Sequence, residues 1–555
     1  MAPRTRRALF SVTLFLASCA LLGSFINKKV VAQSASEEST LRDSLHQFTD
    51  VYSLVEQNYA EPLDQAKIDK AIYDGAIPGM LHALDPHSNF YDPKAFAQMR
   101  EDQHGKYYGV GMSIQPQPDK AGVIHIVVLA PFEGTPAFKA GIRPGDMILS
   151  VDGKSATGLD SAAVAAMLKG PRGTHVVVSM QREGQDGPLN FDLVRDEIPR
   201  ASVDLAFLLK PGVGYIRITN FMETTSREVG DALDSFQAAG PLHGLVLDLR
   251  NNPGGLLNEA VNVSDKFLKE GQIVVSQRGR AFPDQVYRAS HGEEGTDKYP
   301  IVVLVNRNTA SAAEIVSGAL QDHDRALIVG ETTFGKGLVQ TVFNISEETG
   351  LALTTYHYYT PSGRLIQRDY NGVSAYDYFY LRNDAKKADK SNLEVKLTDS
   401  GRTVYGGGGI TPDESSNGGL FDPENFNIFQ DSLILHDVFA NPSYGPGIGD
   451  FTKHYLATHT VSHDYVVDDA MLQQFKTFLK ANQLDYADAD IAGSLDWIKT
   501  NIKAELFTSQ FGQLEGLRVR AQADPEIAKA TTFLPEAMAL EDRDKSPQKT
   551  ASLVH

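Results

Sequence analysis

The chain has 555 residues, 42% of them hydrophobic and 22% charged, which is enough apolar material for several packed domains. A formal net charge of −18 repels polyanions and excludes a nucleic-acid-binding protein. One cysteine, Cys19, excludes disulfide frameworks and cysteine-ligated zinc.

In chain order, Arg4, Arg6 and Arg7 precede an uncharged run from 8 to 26, and Lys28 and Lys29 follow it. As a helix that run spans roughly 28 Å, close to a bilayer core of about 30 Å. It predicts a signal peptide or signal-anchor over 1–33. The membrane is then a partner only through this segment, and the remainder is exported, periplasmic or anchored facing outward. A polar linker, 34–40, leads into Leu41, Leu45, Phe48, Tyr52, Val55 and Tyr59 at helical spacing. A second helix is predicted over 68–84, and the prolines of "LDPHSNFYDP" (84–93) end this region.

From 107 to 184 the texture changes to short β-branched runs and turns. "IHIVVL", "DMILSVDG" and "THVVVSMQREG" read as strands and "GLDSAAVAAMLKG" as a helix, giving a compact α+β module. From 212 to 345 strands and helices alternate: "GYIRI", helix 224–239, "GLVLDL", helix 256–269, "IVVLV", helix 310–322, "ALIVG". This is the pattern of an α/β core with a largely parallel sheet. "LVQTVFNI" and "GLALTTYHYYT" predict a hairpin. After "YGGGGI" the chain turns helical again, with Met471, Leu472, Phe475, Phe478 and Leu479 marking one amphipathic helix.

"GETTFGKG" (330–337) has the glycines and lysine of a phosphate-binding loop. Gly337 stands where a magnesium-binding hydroxyl belongs, and the β-branched "GLVQTVFNI" follows instead of a helix. A nucleotide site is therefore disfavoured, and Lys336 is left in need of another role. Upstream, Asn308 or Thr309 is expected to cap a helix starting near Ala310, with Ser311 in its first turn at the positive end of the dipole. A second strand end, "LVLDLRNNPGGLL", has glycines that let backbone amides approach a ligand. No histidine stands out as a base for Ser311. Lys336 remains as the candidate base of a Ser-Lys dyad, which needs a neutral lysine that burial can supply.

These residues, with "GAIPGMLHALDPHSNFYDP", "YYGVGMSI", "GTPAFKAGIRPGDMILSVDG", "NTASAAEI", "GETTFGKGLVQ" and "YGGGGITPD" in that order, resemble the carboxyl-terminal processing peptidases, or tail-specific proteases, over roughly 41–415. The resemblance implies a multidomain α/β chain. Its parts are a helical N-terminal region (34–98), an inserted PDZ domain (99–186) and a crotonase-like α/β spiral peptidase core (187–415); beyond the resemblance, the residue pattern predicts a mainly helical C-terminal region with a disordered tail (416–555). The resemblance implies Ser311 as nucleophile, Lys336 as general base and Gln340 as the residue orienting that lysine. The oxyanion donors fall on the amides of Gly254 and Ala312, and Ala313 stands where the family often has a second serine.

In the PDZ-like module, Gly109, Val110, Gly111 and Met112 correspond to the carboxylate-binding loop, and a peptide would add as a strand along "MSIQP". The implied partners are protein or peptide substrates with accessible C-termini, with a second copy of the chain as a further candidate. No metal or cofactor is implied. The rival reading is a catalytically silent PDZ scaffold that binds peptide tails without cutting them.

Overall fold

The computed structural model describes residues 41–544 except 119–122, 183, 291–298, 380–392, 417–428, 432, 434–446, 483 and 485. The expected signal or anchor segment and the polar tail lie outside the described residues. Among the described residues no helix is long and apolar enough to cross a membrane. Two compact units divide at Ala83 and Leu84. The first is helical over 41–58 and again over 65–82, where Pro78 sits in the first turn of Ile77–His82 and the preceding turn, Ala71–Ala76, is wound wider. The helix predicted over 68–84 is thus present, shifted toward the N-terminus at both ends.

In the second unit, the 107–184 module is an antiparallel sheet. Its order runs Met112–Pro118 (β1), Ile124–Pro131, Met147–Val151, His175–Gln181, Leu189–Val194, with helix Ser161–Leu168 (α1) packed across it. Side chains alternate between the two faces of each strand, so Ile126, Val128, Ile148, Val151, Val176, Val178 and Met180 gather in one core with Val164 and Leu168 of α1. β1 is an edge strand, open on one side.

The peptidase-like core is a six-stranded sheet. Val203–Lys210 (β2) pairs antiparallel with Val213–Ile218 (β3), and Gly244–Asp248 (β4), Ile301–Val305 (β5), Ala326–Gly330 (β6) and Glu414–Ser415 (β9) continue in parallel. Two antiparallel strands, Leu338–Asn344 (β7) and Gly350–Tyr359 (β8), form the predicted hairpin in a separate sheet. Helices Thr225–Ala239 (α2), Leu257–Asp265 (α3) and Ala312–Asp322 (α4) cover one face of the six-stranded sheet through Leu245, Leu247, Ile301, Val303 and Ile328.

The alternate residues Val246, Val302, Leu304, Leu327 and Val329 point the other way. They are buried by Gln513–Ala523 (α5), Pro525–Thr532 (α6) and Leu534–Asp544 (α7), through Ala521, Ile527, Ala530, Leu534, Ala537 and Leu540. The C-terminal helices therefore form the second layer of this sheet. A separate helical core holds Met471, Leu472, Phe475 and Leu479 with Trp497, Ile498 and Phe507.

Candidate active site

Three loops leave the carboxyl ends of β4, β5 and β6, where parallel sheets present ligands and reactive groups. They are tied to one another before any side chain of chemical interest is considered. Thr309 Oγ1 donates to the Leu249 carbonyl (2.8 Å), and the Ala310 N–H donates to the Asn252 carbonyl (2.9 Å). The Phe334 N–H donates to the Thr309 carbonyl (2.8 Å), joining the third loop to the second.

Ser311 occupies the cap position itself, and α4 begins at Ala312, so neither Asn308 nor Thr309 caps that helix. The displacement has a physical cause: Thr309 spends its hydroxyl on the neighbouring loop, and Ser311 adopts φ 55°, ψ −116°. Four non-glycine residues have positive φ among the described residues, and two of them, Ser311 and Asn251, lie in these loops. Such backbone strain persists where surrounding contacts over-determine it, and it is typical of a serine presented on a strand-to-helix turn.

Those contacts centre on Glu314, a buried carboxylate on the first turn of α4. Its Oε2 accepts from the Ser311 N–H (2.8 Å) and the Lys336 N–H (2.9 Å). Its Oε1 accepts from Thr333 Oγ1 (2.5 Å) and the Gly335 N–H (2.7 Å). One carboxyl group thus joins the Ser311 turn to the Lys336 loop. Burial pushes that carboxyl up to about 7, against the pull of its four donors.

Lys336 itself is desolvated. Burial lowers its ammonium below the ordinary lysine range, opposed by the negative charges of Glu314 and Asp85. No hydrogen bond or ion pair engages its Nζ among the described residues. Beside it, Asp85 accepts from the backbone N–H groups of His87 and Ser88 (2.8 Å each) and from Ser88 Oγ (2.6 Å). His87 sits edge-on to Tyr378 and Phe379, with Nε2 3.0 Å from the Tyr378 hydroxyl. Burial, and then the positive charge of Lys336, lower its imidazole to about 4.

The amides implied as oxyanion donors are adjacent. A methyl group placed on Gly254 would lie 2.6 Å from Ser311 Cβ and 2.9 Å from the Ala312 nitrogen. The Ala312 N–H has no protein acceptor among the described residues. The Gly254 N–H does have one: it donates to Asn252 Oδ1 (2.8 Å), so it is near but not bare as expected.

Gln340 departs from the expectation as well. Its Nε2 donates to Thr354 Oγ1, opposite it in the hairpin register (3.2 Å), and no hydrogen bond joins it to Lys336.

A model of peptidase family S41 matches residues 212–375, a PDZ-domain model matches 127–182, and a model of the activating protease CtpB N-terminal domain matches 13–95. The carboxy-terminal-processing protease of Bartonella bacilliformis is 39% identical over 361 residues, covering 64% of this chain and 80% of that one. The chain belongs to the carboxy-terminal processing protease family. It is a serine-type peptidase carrying a PDZ domain. The carboxy-terminal processing protease CtpA of Bacillus subtilis is 34% identical over 359 residues, covering 64% and 73% of the two chains. Among solved structures, a photosystem II D1 C-terminal processing protease is 32% identical and covers 58% of this chain and 89% of that one, with a TM-score of 0.32.

In the PDZ domain of the protease, Gly109 ends a short strand, Val110 and Gly111 form the connecting turn, and Met112 opens the edge strand β1. The carbonyls of Val110 and Gly111 are held inward by the N–H groups of Ala137 (2.8 Å) and Phe132 (3.0 Å). Their own N–H groups take no protein acceptor among the described residues. Gly111 has φ 80°, and an added methyl would lie 2.4 Å from the Thr135 side chain, so only glycine makes this turn.

Sequence reasoning missed Glu314, Asp85, His87 and the Arg250 cluster described below. Glu314 was detectable, because Ser-x-x-Glu is a capping pattern. Asp85 and His87 lie more than two hundred residues from Ser311, and no local signal brings them there. Among the described residues no group of side chains has the make-up of a metal site.

Proposed function

We propose that this peptidase cleaves protein substrates near their C-termini by a Ser-Lys mechanism, with the PDZ domain holding the chain end. The carrying observation is that Lys336 is desolvated and unpaired on a loop fixed to the Ser311 turn by a shared carboxylate. Neutral Lys336 takes the Ser311 hydroxyl proton as Oγ bonds to the scissile carbonyl carbon. The Ala312 N–H, and the Gly254 N–H once it leaves Asn252, stabilise the oxyanion. The Lys336 ammonium then protonates the departing amine. Water, deprotonated by the same lysine, hydrolyses the acyl-enzyme.

The free amides of Val110 and Gly111 meet the substrate carboxylate, flanked by Gly109 and Met112, and the tail pairs along β1. Gln340 acts through Thr354 rather than on Lys336 directly. The uncharged run at 8–26 supports export, with the enzyme working beyond the cytoplasmic membrane. The chain lacking residues 1–33, mixed with an unfolded protein that has an apolar C-terminus, tests the mechanism. Cleavage by the wild type and its loss in both Ser311→Ala and Lys336→Ala are expected. Full activity in Lys336→Ala rules out this base, and binding of tail peptides without any cutting returns the scaffold reading.

A further inference from the structure

The C-terminal helices lie outside all three matched family segments, and they touch the catalytic loops through one charged cluster. Arg250 is the second residue after β4 and opens the loop that ends at Gly254. Its guanidinium meets three carboxylates. Asp248 accepts from Nη2 (2.6 Å) and Nε (3.0 Å), Asp524 lies 2.9 Å from Nη2, and Glu526 accepts from Nη1 (2.6 Å). All four side chains are largely buried. Although burial works against its charge, Asp248 and then Asp524 hold the Arg250 guanidinium well above its ordinary value.

We propose that Asp524 and Glu526 are positioning residues for catalysis: by clamping Arg250 they fix the 250–254 loop against the Ser311 turn. The inference rests on the reading of Ser311 as nucleophile. From Arg250 the path to the nucleophile is short. Asn251 exchanges hydrogen bonds with Asn306 (2.9 Å each way) and accepts one from Asn308 (2.9 Å). Asn252 is buried, donates to the Ile218 carbonyl (2.8 Å), and accepts from the Ala310 N–H and the Gly254 N–H. Gly254 then packs on Ser311 Cβ. A shift of Arg250 therefore moves the oxyanion amide relative to the nucleophile.

Anchoring the helices is a poor explanation for the cluster. Ile527, Ala530, Leu534, Ala537 and Leu540 already dock α6 and α7 by apolar burial. Three carboxylates around one guanidinium exceed what neutralisation requires, and buried ion pairs contribute little net stability compared with apolar packing. What they do impose is one geometry, since a planar guanidinium satisfied on several edges has no second low-energy orientation. Asp524 also caps α6, accepting from the Glu526 N–H (2.8 Å), so Glu526 is the cleaner position to test.

The experiment compares the wild type with Glu526→Ala, Glu526→Gln and Asp524→Asn, each as the full chain. The control, Lys529→Ala, removes a different contact of the same helix, the 3.1 Å bond to the Ser415 carbonyl. Active sites are counted with a fluorophosphonate probe, so kcat refers only to folded, reactive enzyme. Glu526→Ala is expected to lower kcat at least tenfold with KM within twofold, since the oxyanion contact is made in the transition state. Glu526→Gln keeps an acceptor at the same place and is expected to retain a third or more of the wild-type kcat, with Lys529→Ala unchanged.

Should Glu526→Ala fail to fold, Asp524→Asn keeps the helix cap while weakening the clamp, and a kcat loss of threefold or more is expected. A kcat within twofold of wild type in Glu526→Ala, or in Asp524→Asn where that variant stands in, overturns the proposal. So does an equal loss in Lys529→Ala. Failure of the wild type to cleave or to be labelled at Ser311 instead removes the underlying mechanism.

Discussion

Replacing Glu314 by Gln tests whether one buried carboxyl governs both halves of the site. Its two oxygens accept four donors, and an amide offers a single acceptor oxygen. Two buried donors lose their partner, each at about 1–3 kcal/mol, which sets a constant offset against the variant. The pH dependence is the sharper signature. The folded carboxyl titrates at about 7 instead of its ordinary 4.5, because burial disfavours the anion.

A raised value means that the folded state holds the proton more tightly. The contribution is therefore complete below pH 4.5 and lost as pH climbs through 7. At about 1.36 kcal/mol per pH unit, the change is about 3 kcal/mol. His87 does the opposite. Its value is lowered from 6.5 to about 4, so its contribution is present above 6.5 and lost as pH falls through 4, again about 3 kcal/mol. The two nearly cancel in the wild type, and only the difference between proteins isolates Glu314.

Urea unfolding of wild type and Glu314→Gln from pH 4 to 8 is expected to show the stability gap narrowing by about 3 kcal/mol toward alkaline pH. Activity is expected to fall at least a hundredfold, because both the Ser311 turn and the Lys336 loop lose their common tether. A gap that stays constant within about 1 kcal/mol across that range refutes the burial argument.

The cleavage rate is expected to rise with pH at unit slope and to level off below the ordinary lysine range, since burial lowers Lys336. A pH–rate profile with its midpoint at or above about 10.4 contradicts that. Gly254→Ala places a methyl 2.6 Å from Ser311 Cβ at φ 101°, and kcat is expected to drop by two orders of magnitude or more, on the order of 3 kcal/mol. Peptide binding to the PDZ domain, followed by fluorescence anisotropy, should be unchanged in that variant. Gly111→Ala reverses the pattern: the clash with Thr135 weakens peptide binding about tenfold or more, while active-site labelling of Ser311 persists.

Much of this arrangement was legible because the core strands are buried on both faces. "IVVLV" and "ALIVG" are uniformly apolar runs between helices, which is the mark of a parallel sheet, and the site follows from where such strands end. Ser311 and Lys336 stood out through their family blocks, and the structure puts them on loops joined by Glu314.

The precise form of the Ser311 turn was not legible, because φ 55° follows from tertiary hydrogen bonds and not from the preferences of serine. Gln340 was assigned by position in a motif, while its partner was decided by strand register. The bond between Gly254 and Asn252 is a side-chain contact two residues away, and nothing in "NNPGG" announces it. The role of the C-terminal helices was invisible for a different reason. Their apolar stripes say that something is covered, and only the fold says that it is the back of the catalytic sheet.

That back layer sets an order of events during synthesis. Strand β5 and helix α7 are separated by over two hundred residues, so Val302 and Leu304 emerge long before Leu534 and Leu540 exist to cover them. At about 5–20 residues per second, the interval is roughly ten to fifty seconds. Through that time half of the sheet is an apolar surface in search of a partner, and Arg250 has only Asp248 to pair with. The nascent chain is at once most prone to aggregate and furthest from a finished catalytic centre. The back of the catalytic sheet is thereby closed only once α6 and α7 have been made.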